Sequence, residues 1–193
     1  MPNKEKIDIV RLGVIWRKLI SIMDETSQTL IRTSFSTVIR ENNDLACVVT
    51  DPLGCLIAQS TDSIPSFIGT VPFTLKSMIR KYPPERLRPG DVLITNDPWL
   101  GTGHLNDVSV AMPVYYKNRL IGFVANVAHH NDIGGTSNPY AREYFEEGLL
   151  IPIVKLVECG KENEPVYEFY KYNVRSSDIG LGDLNAQLAS LYT

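Results

Sequence analysis

The three histidines of this chain are its most versatile chemical groups, and all of them fall in one stretch. From Asn96 to Gly135 the sequence reads Asn-Asp-Pro-Trp-Leu-Gly-Thr-Gly-His-Leu-Asn-Asp, then two apolar runs, then Ala-His-His-Asn-Asp-Ile-Gly-Gly. His104, His129 and His130 each have an aspartate two or three positions downstream, Asp107 or Asp132. Imidazole with carboxylate suits Zn²⁺, Mn²⁺ or Fe²⁺, and an all-N/O donor set argues against Cu(I) and iron–sulfur clusters. Such an ion needs three or four donors converging from rigid backbone. His104-x-x-Asp107 offers an imidazole and a carboxylate on one tight loop. His129 and His130 are adjacent, so on extended backbone they point to opposite faces and only one can join the same ion. The other is free for a hydrogen bond, a substrate contact or proton transfer. Asp132 is either a further donor or the acceptor that fixes a histidine tautomer. The alternative is a set of structural histidines satisfied by backbone partners, and local sequence favours neither.

Positioning these groups falls to the apolar runs between them. Val108 to Tyr116 and Leu120 to Ala128 are strand candidates joined by Lys117-Asn118-Arg119, an antiparallel hairpin. His104 and Asp107 then precede the first strand and His129 follows the second, so the hairpin brings them to one edge of the sheet. Upstream, Val10, Val14, Ile15, Leu19, Ile22, Met23, Leu30 and Ile31 predict one long amphipathic helix over residues 9 to about 33. Leu45 to Thr50 and Cys55 to Gln59 read as two strands joined by an Asp51-Pro-Leu-Gly54 turn. Asp44 stands at the mouth of the first of them, which locally reads as an ordinary acidic strand-edge residue.

The stretch from Ser60 to Pro72, punctuated by Pro and Gly, predicts a loop, followed by a short helix over Thr74 to Tyr82 and a strand over Val92 to Thr95. Past Gly135, a helix is expected over Pro139 to Gly148 and a strand over Leu149 to Val157. The tyrosine-rich piece from Tyr167 to Tyr172 reads as a packing or partner surface. Apolar residues at 184, 188 and 191 have helical spacing. No Gly or Asn closes that last turn, as expected if the chain resembles only part of something longer. The sum is an α/β chain of the α+β kind: a largely antiparallel sheet with a leading helix, in a single domain over residues 1–193.

Composition excludes several functions. The chain has 193 residues, 44% hydrophobic and 21% charged, with a formal charge of -3 and no Lys/Arg block, so no nucleic-acid footprint is present. No apolar run approaches the ~20 residues of a membrane helix, and the N-terminus has no apolar signal region, so the expectation is a cytoplasmic protein with no membrane contact. Cys47, Cys55 and Cys159 lack Cys-x-x-Cys spacing and read as reduced thiols. There is no Gly-x-x-x-x-Gly-Lys-Ser/Thr loop, no dinucleotide fingerprint and no Gly-x-Ser-x-Gly elbow.

The run from Arg88 to Val108, Arg-Pro-Gly-Asp-Val-Leu-Ile-Thr-Asn-Asp-Pro-Trp-Leu-Gly-Thr-Gly-His-Leu-Asn-Asp-Val, resembles the signature of the hydantoinase B/5-oxoprolinase family. So does Ala128-His-His-Asn-Asp-Ile-Gly-Gly135, with supporting matches at Thr29–Ser36, Asp44–Cys47, Glu147–Leu149 and Asn173–Arg175. The resemblance covers nearly the whole chain, but only the N-terminal part of the longer family members. It implies a hydrolase subunit acting on cyclic amide C–N bonds. A hydantoinase A-like ATPase subunit would activate the substrate with ATP, in a hetero-oligomer. It also implies a divalent metal (Zn, Mn or Fe) held by Asp44, His104, Asp107 and His129, so the resemblance raises Asp44 from an edge residue to a ligand. His130 and Asp132 are then the expected catalytic pair, moving protons or orienting ligands. Two other readings stay open: a subunit of an acetone- or acetophenone-type carboxylase acting on a ketone, and a truncated assembly module without catalysis.

Overall fold

The computed structural model describes residues 8–101, 103–136 and 140–193. Asp8 caps helix α1, Ile9–Thr33, by accepting from the backbone N–H of Val10 and Arg11. Met23, Thr26, Ser27 and Leu30 form its buried stripe, whereas Ile9, Val10, Leu12, Ile15 and Trp16 of its first turns are exposed. Helix α2, Thr37–Asn42, closes on Asn43 in the left-handed conformation, which turns the chain into β1, Leu45–Thr50. The Asp51–Gly54 turn forms as its sequence predicts, with the Gly54 N–H donating to the Asp51 carbonyl, and leads to β2, Leu56–Gln59.

The chain then departs from expectation. Helix α3 runs from Pro65 to Lys81 and contains Pro72 in its interior, where a loop is predicted. Pro65 sits in the first turn, where its missing N–H costs nothing. Pro72 forfeits one hydrogen bond, but Phe67, Val71, Leu75 and Met78 are buried together on one face of the helix. Each such side chain stabilises by roughly 1.5–3 kcal/mol, which outweighs the broken turn.

Strands β3 (Val92–Thr95), β4 (Asp107–Tyr116) and β5 (Arg119–His129) follow, close to their expected bounds. Lys117 and Asn118 both have positive φ, the two-residue turn that matches the twist of a hairpin. Of the helix expected over 139–148, α4 covers only Tyr144–Glu147, and Pro139 lies outside the described residues. The strand expected from Leu149 shortens to β6, Val154–Glu158, which pairs with the two-residue β7, Lys161–Glu162. Pro152 has no N–H for a ladder there. Instead, Asn96 fastens residues 149–151, accepting from Ile151 N–H and donating to the Leu149 carbonyl. Helices α5, Glu164–Asn173, and α6, Ser177–Ser190, complete the chain.

One seven-stranded antiparallel sheet results, in the order β2-β1-β5-β4-β3-β6-β7. The period-2 alternation of its strands sorts the core into two faces. Ala46, Val48, Ala111, Phe123, Ala125 and Val127 pack under α3, while their sequence neighbours Leu45, Cys47, Val108, Val110 and Ala128 meet α1, α2, α5 and α6. Cys47 is a buried free thiol and Cys55 and Cys159 are exposed free thiols. Among the described residues no helix is long and apolar enough to cross a membrane.

Two glycines make opposite predictions. Gly134 has a φ of +96°, and a Cβ there would overlap the Asn173 carbonyl, whereas Gly69 inside α3 has open space around it. Gly134→Ala is expected to destabilise by about 2 kcal/mol or more and Gly69→Ala to stabilise by about 0.5–1 kcal/mol, both read by urea unfolding.

Candidate metal centre

Antiparallel pairing puts the start of β4, the end of β5 and the start of β1 at the same end of the sheet. Asp107 pairs directly with His129, and Leu45 pairs with Ala128, so Asp44 stands opposite His129 on the other side. The His129 N–H donates to the Asp44 carbonyl at 3.0 Å, which extends the β1–β5 ladder by that one residue. Directly opposed residues of antiparallel strands share a face. Asp44, His129 and Asp107 therefore form a row across three strands, all on the α3 face. His104 reaches the row from the loop before β4.

Asp107 is the centre of the group. Its side chain is 1% exposed; Oδ1 lies 3.0 Å from His129 Nδ1, and Oδ2 lies 3.2 Å from His104 Nε2. The imidazoles of His104 and His129 sit edge to face, with centroids 5.1 Å apart. One ligand atom from each of His104, Asp107 and His129 falls within 4.8 Å of the others. Asp44 lies at the rim, its Oδ2 3.8 Å from His129 Nδ1 and its side chain 29% exposed. Burial raises the Asp44 pKa and the Asp107 charge adds to this, against His129 and His104, which lower it. At His129 burial opposes protonation, yet the hydrogen bond to Asp107 and the charges of Asp107 and Asp44 outweigh it and hold the imidazole above its ordinary pKa.

The residues fit a divalent cation. Among the described residues Asp107 Oδ2 is buried without a hydrogen-bond partner, its 3.2 Å approach to His104 Nε2 being an ion-pair contact that lacks hydrogen-bond geometry, and His104 Nδ1 is buried without one as well. An orphaned carboxylate oxygen is costly to bury, and a cation held between it and the two imidazoles would compensate it. The donors are nitrogen and oxygen only, with no cysteine among them.

His130 and Asp132, expected to move protons or orient ligands, are each engaged by partners outside the His104–Asp107–His129 group. His130 is fully buried on the opposite face, with Nδ1 2.7 Å from the Tyr170 hydroxyl and Nε2 2.9 Å from Gln187 Oε1. Burial pushes its pKa down, so the ring is neutral and both nitrogens are engaged. Asp132 is a staple: Oδ1 accepts from Gly134 N–H and the Arg175 guanidinium, and Oδ2 accepts from Ser176 N–H. Burial raises its pKa, but these donors outweigh that and leave it below the usual carboxylate value.

Sequence reasoning missed the residues that hold the His104 loop. Asn96 Nδ2 donates to the Leu105 carbonyl, and Glu147 Oε2 accepts from Leu105 N–H. Asn106 donates through its side chain to the His130 carbonyl, while its own carbonyl accepts from His130 N–H. On the opposite face, Asn126 inside the apolar run of β5 was a legible sign of a buried polar partner, which α6 supplies. Gln187 gave a similar one, falling among Leu184, Leu188 and Leu191.

With this geometry in place, comparison with known proteins is informative. A crystal structure of the ATP-dependent caprolactamase from Pseudomonas jessenii superposes with a TM-score of 0.88 at 33% identity, over 97% of this chain and 33% of that one. A nucleotide-free acetone carboxylase structure superposes with a TM-score of 0.87 at 18% identity, over 96% of this chain and 25% of that one, which shows a shared fold. The family model for hydantoinase B/oxoprolinase matches residues 8–193, and the chain belongs to that family. An uncharacterised protein of Methanocaldococcus jannaschii is 35% identical over 191 residues, covering 96% of this chain and 34% of its own length. The chain thus spans about a third of the length of that relative.

Asp132 yields a pH prediction. Its folded pKa lies below the ordinary value of 3.8, so its contribution to stability is present above about pH 4 and is lost as pH falls through the folded value. Asp132→Asn is expected to unfold at lower denaturant than the wild type at pH 7, with the gap closing below about pH 4 in urea titrations at stepped pH.

Proposed function

We propose that this chain is the metal-binding part of a hydantoinase/oxoprolinase-type subunit that hydrolyses a cyclic amide activated by an ATP-using partner subunit. The observation that carries it is the buried Asp107 carboxylate between His104 and His129, whose Oδ2 has no hydrogen bond among the described residues. His104, Asp107 and His129 would hold the ion, Zn, Mn or Fe, and Asp44 would complete the set from the rim. A divalent ion there supplies Lewis acidity toward a carbonyl oxygen.

The chain's own side chains set its position. Asp107 fixes both imidazoles from below, sheet pairing fixes Asp107 against His129, and the partly exposed edges of His104, His129 and Asp44 leave one side open to substrate. Amide hydrolysis is favoured over ketone carboxylation by the two solved structures: the caprolactamase is 33% identical and the acetone carboxylase 18%, and the caprolactamase sequence is described as subunit beta. The ATP step belongs to the partner in this reading, in keeping with the ATP-dependent caprolactamase, whose matching sequence is described as subunit beta.

Purified chain loaded with Zn²⁺ or Mn²⁺ and desalted is expected to retain near-stoichiometric metal by elemental mass spectrometry. His104→Ala and Asp107→Ala should weaken binding by more than the roughly 10–100-fold typical of losing an outer-shell support, and Asp44→Ala by less than either. A folded wild type that takes up no divalent ion contradicts the reading. In complex with an ATP-hydrolysing partner subunit, ATP-dependent lactam opening should vanish in His104→Ala. Unchanged turnover there would exclude the centre from the reaction.

A further inference from the structure

Behind the candidate centre, on the opposite face of the sheet, lies a buried polar network, in the same helical layer as the buried Asp183, which accepts from the N–H groups of Phe35 and Ser36. His130, Asn126, Gln187 and Ser190 have no exposed surface and Tyr170 is 1% exposed. Gln187 Nε2 donates to the Val108 carbonyl at 2.8 Å and to Asn126 Oδ1 at 2.9 Å. The Val108 carbonyl can only accept, so the amide nitrogen must face it and Oε1 must face His130. That places the His130 proton on Nε2 and leaves Nδ1 to accept from the Tyr170 hydroxyl. Asn126 Nδ2 in turn donates to the Gln187 carbonyl and to Ser190 Oγ. One consistent set of donors and acceptors results, in a single tautomer.

The network's anchor points are the sequence neighbours of the candidate ligands. Val108 follows Asp107, His130 follows His129, and Asn106, which exchanges two hydrogen bonds with the His130 backbone, precedes Asp107. We propose that Gln187 and Tyr170, on α6 and α5, are positioning residues for the candidate metal centre. Gln187 braces the β4 and β5 ends through Val108 and His130, and Tyr170 braces His130, in addition to the spacing that the β4–β5 ladder imposes. The proposal rests on reading His104, Asp107 and His129 as metal ligands. Gln187 is the stronger lever because it bonds Val108 of β4 and Asn126 of β5 as well as His130, whereas Tyr170 bonds His130.

Gln187→Met keeps length and bulk but removes the amide; Tyr170→Phe removes only the hydroxyl. Leu75→Ala serves as the stability control, since it truncates the core under α3 and touches no member of the network. Co²⁺ titration followed by visible ligand-field absorption is expected to show binding weakened about 10–100-fold in Gln187→Met with shifted bands, a smaller effect in Tyr170→Phe, and affinity within about twofold of wild type in Leu75→Ala. Unchanged Co²⁺ affinity and bands in folded Gln187→Met, or an equal loss in Leu75→Ala, would overturn the positioning role. If Gln187→Met does not fold, Tyr170→Phe against Leu75→Ala decides by the same criterion. A wild type that takes no Co²⁺ would sink the metal reading instead. NMR signals of Asp107 and His129 in the metal-free chain then decide positioning, supported if Gln187→Met moves them and Leu75→Ala does not, and overturned if it leaves them in place.

Discussion

A carboxylate removed from water must be compensated where it lies, and among the described residues Asp107 has the imidazoles of His104 and His129 beside it, with a hydrogen bond from His129 alone. That constraint shapes the end of the sheet. His129 meets Asp107 because β4 and β5 pair in a register that sets them opposite each other, and a slip of one residue would send His129 to the other face. Asp44 joins because β1 continues the same row from the far side of β5. His104 is the one member brought by a loop, and that loop is tied down by Asn96, Asn106 and Glu147. The grouping of Asp44, Asp107 and His129 is thus set by backbone pairing more than by side-chain flexibility.

The adjacent histidines divide the labour between the two faces of one strand. His129 keeps an edge toward solvent and a raised pKa, whereas His130 is sealed among helices and neutral. The two glycines after them serve the same end. A Cβ on Gly134 would meet the Asn173 backbone and one on Gly135 the Glu147 backbone, so the segment past β5 crosses both α5's end and α4 at backbone contact. Asp132 then locks that crossing through Arg175 and Ser176. Several motifs of the family signature are therefore fasteners around the site.

Much of this was legible in the sequence. The hairpin of β4 and β5 showed through its two apolar runs and the polar Lys117-Asn118-Arg119 between them, of which the structure uses Lys117 and Asn118 as the turn. The rule that neighbours on a strand face opposite ways correctly separated His129 from His130. Helix α3 was hidden because Pro65 and Pro72 read as loop punctuation, and only the buried stripe of Phe67, Val71, Leu75 and Met78 explains why the helix persists. Asp44 could not be promoted from local sequence, since its value depends on the β1–β5 register, a contact distant in the chain. The role of His130 was obscured for the same reason: Tyr170 and Gln187, its partners, lie 40 and 57 positions away.

The most direct test of the centre is X-ray absorption spectroscopy at the metal edge of the Zn²⁺-loaded chain. A first shell of nitrogen and oxygen alone, with outer-shell scattering from two imidazoles, is expected if His104, Asp107 and His129 hold the ion. Sulfur scattering near about 2.3 Å, or no imidazole contribution, would contradict a centre built on that row.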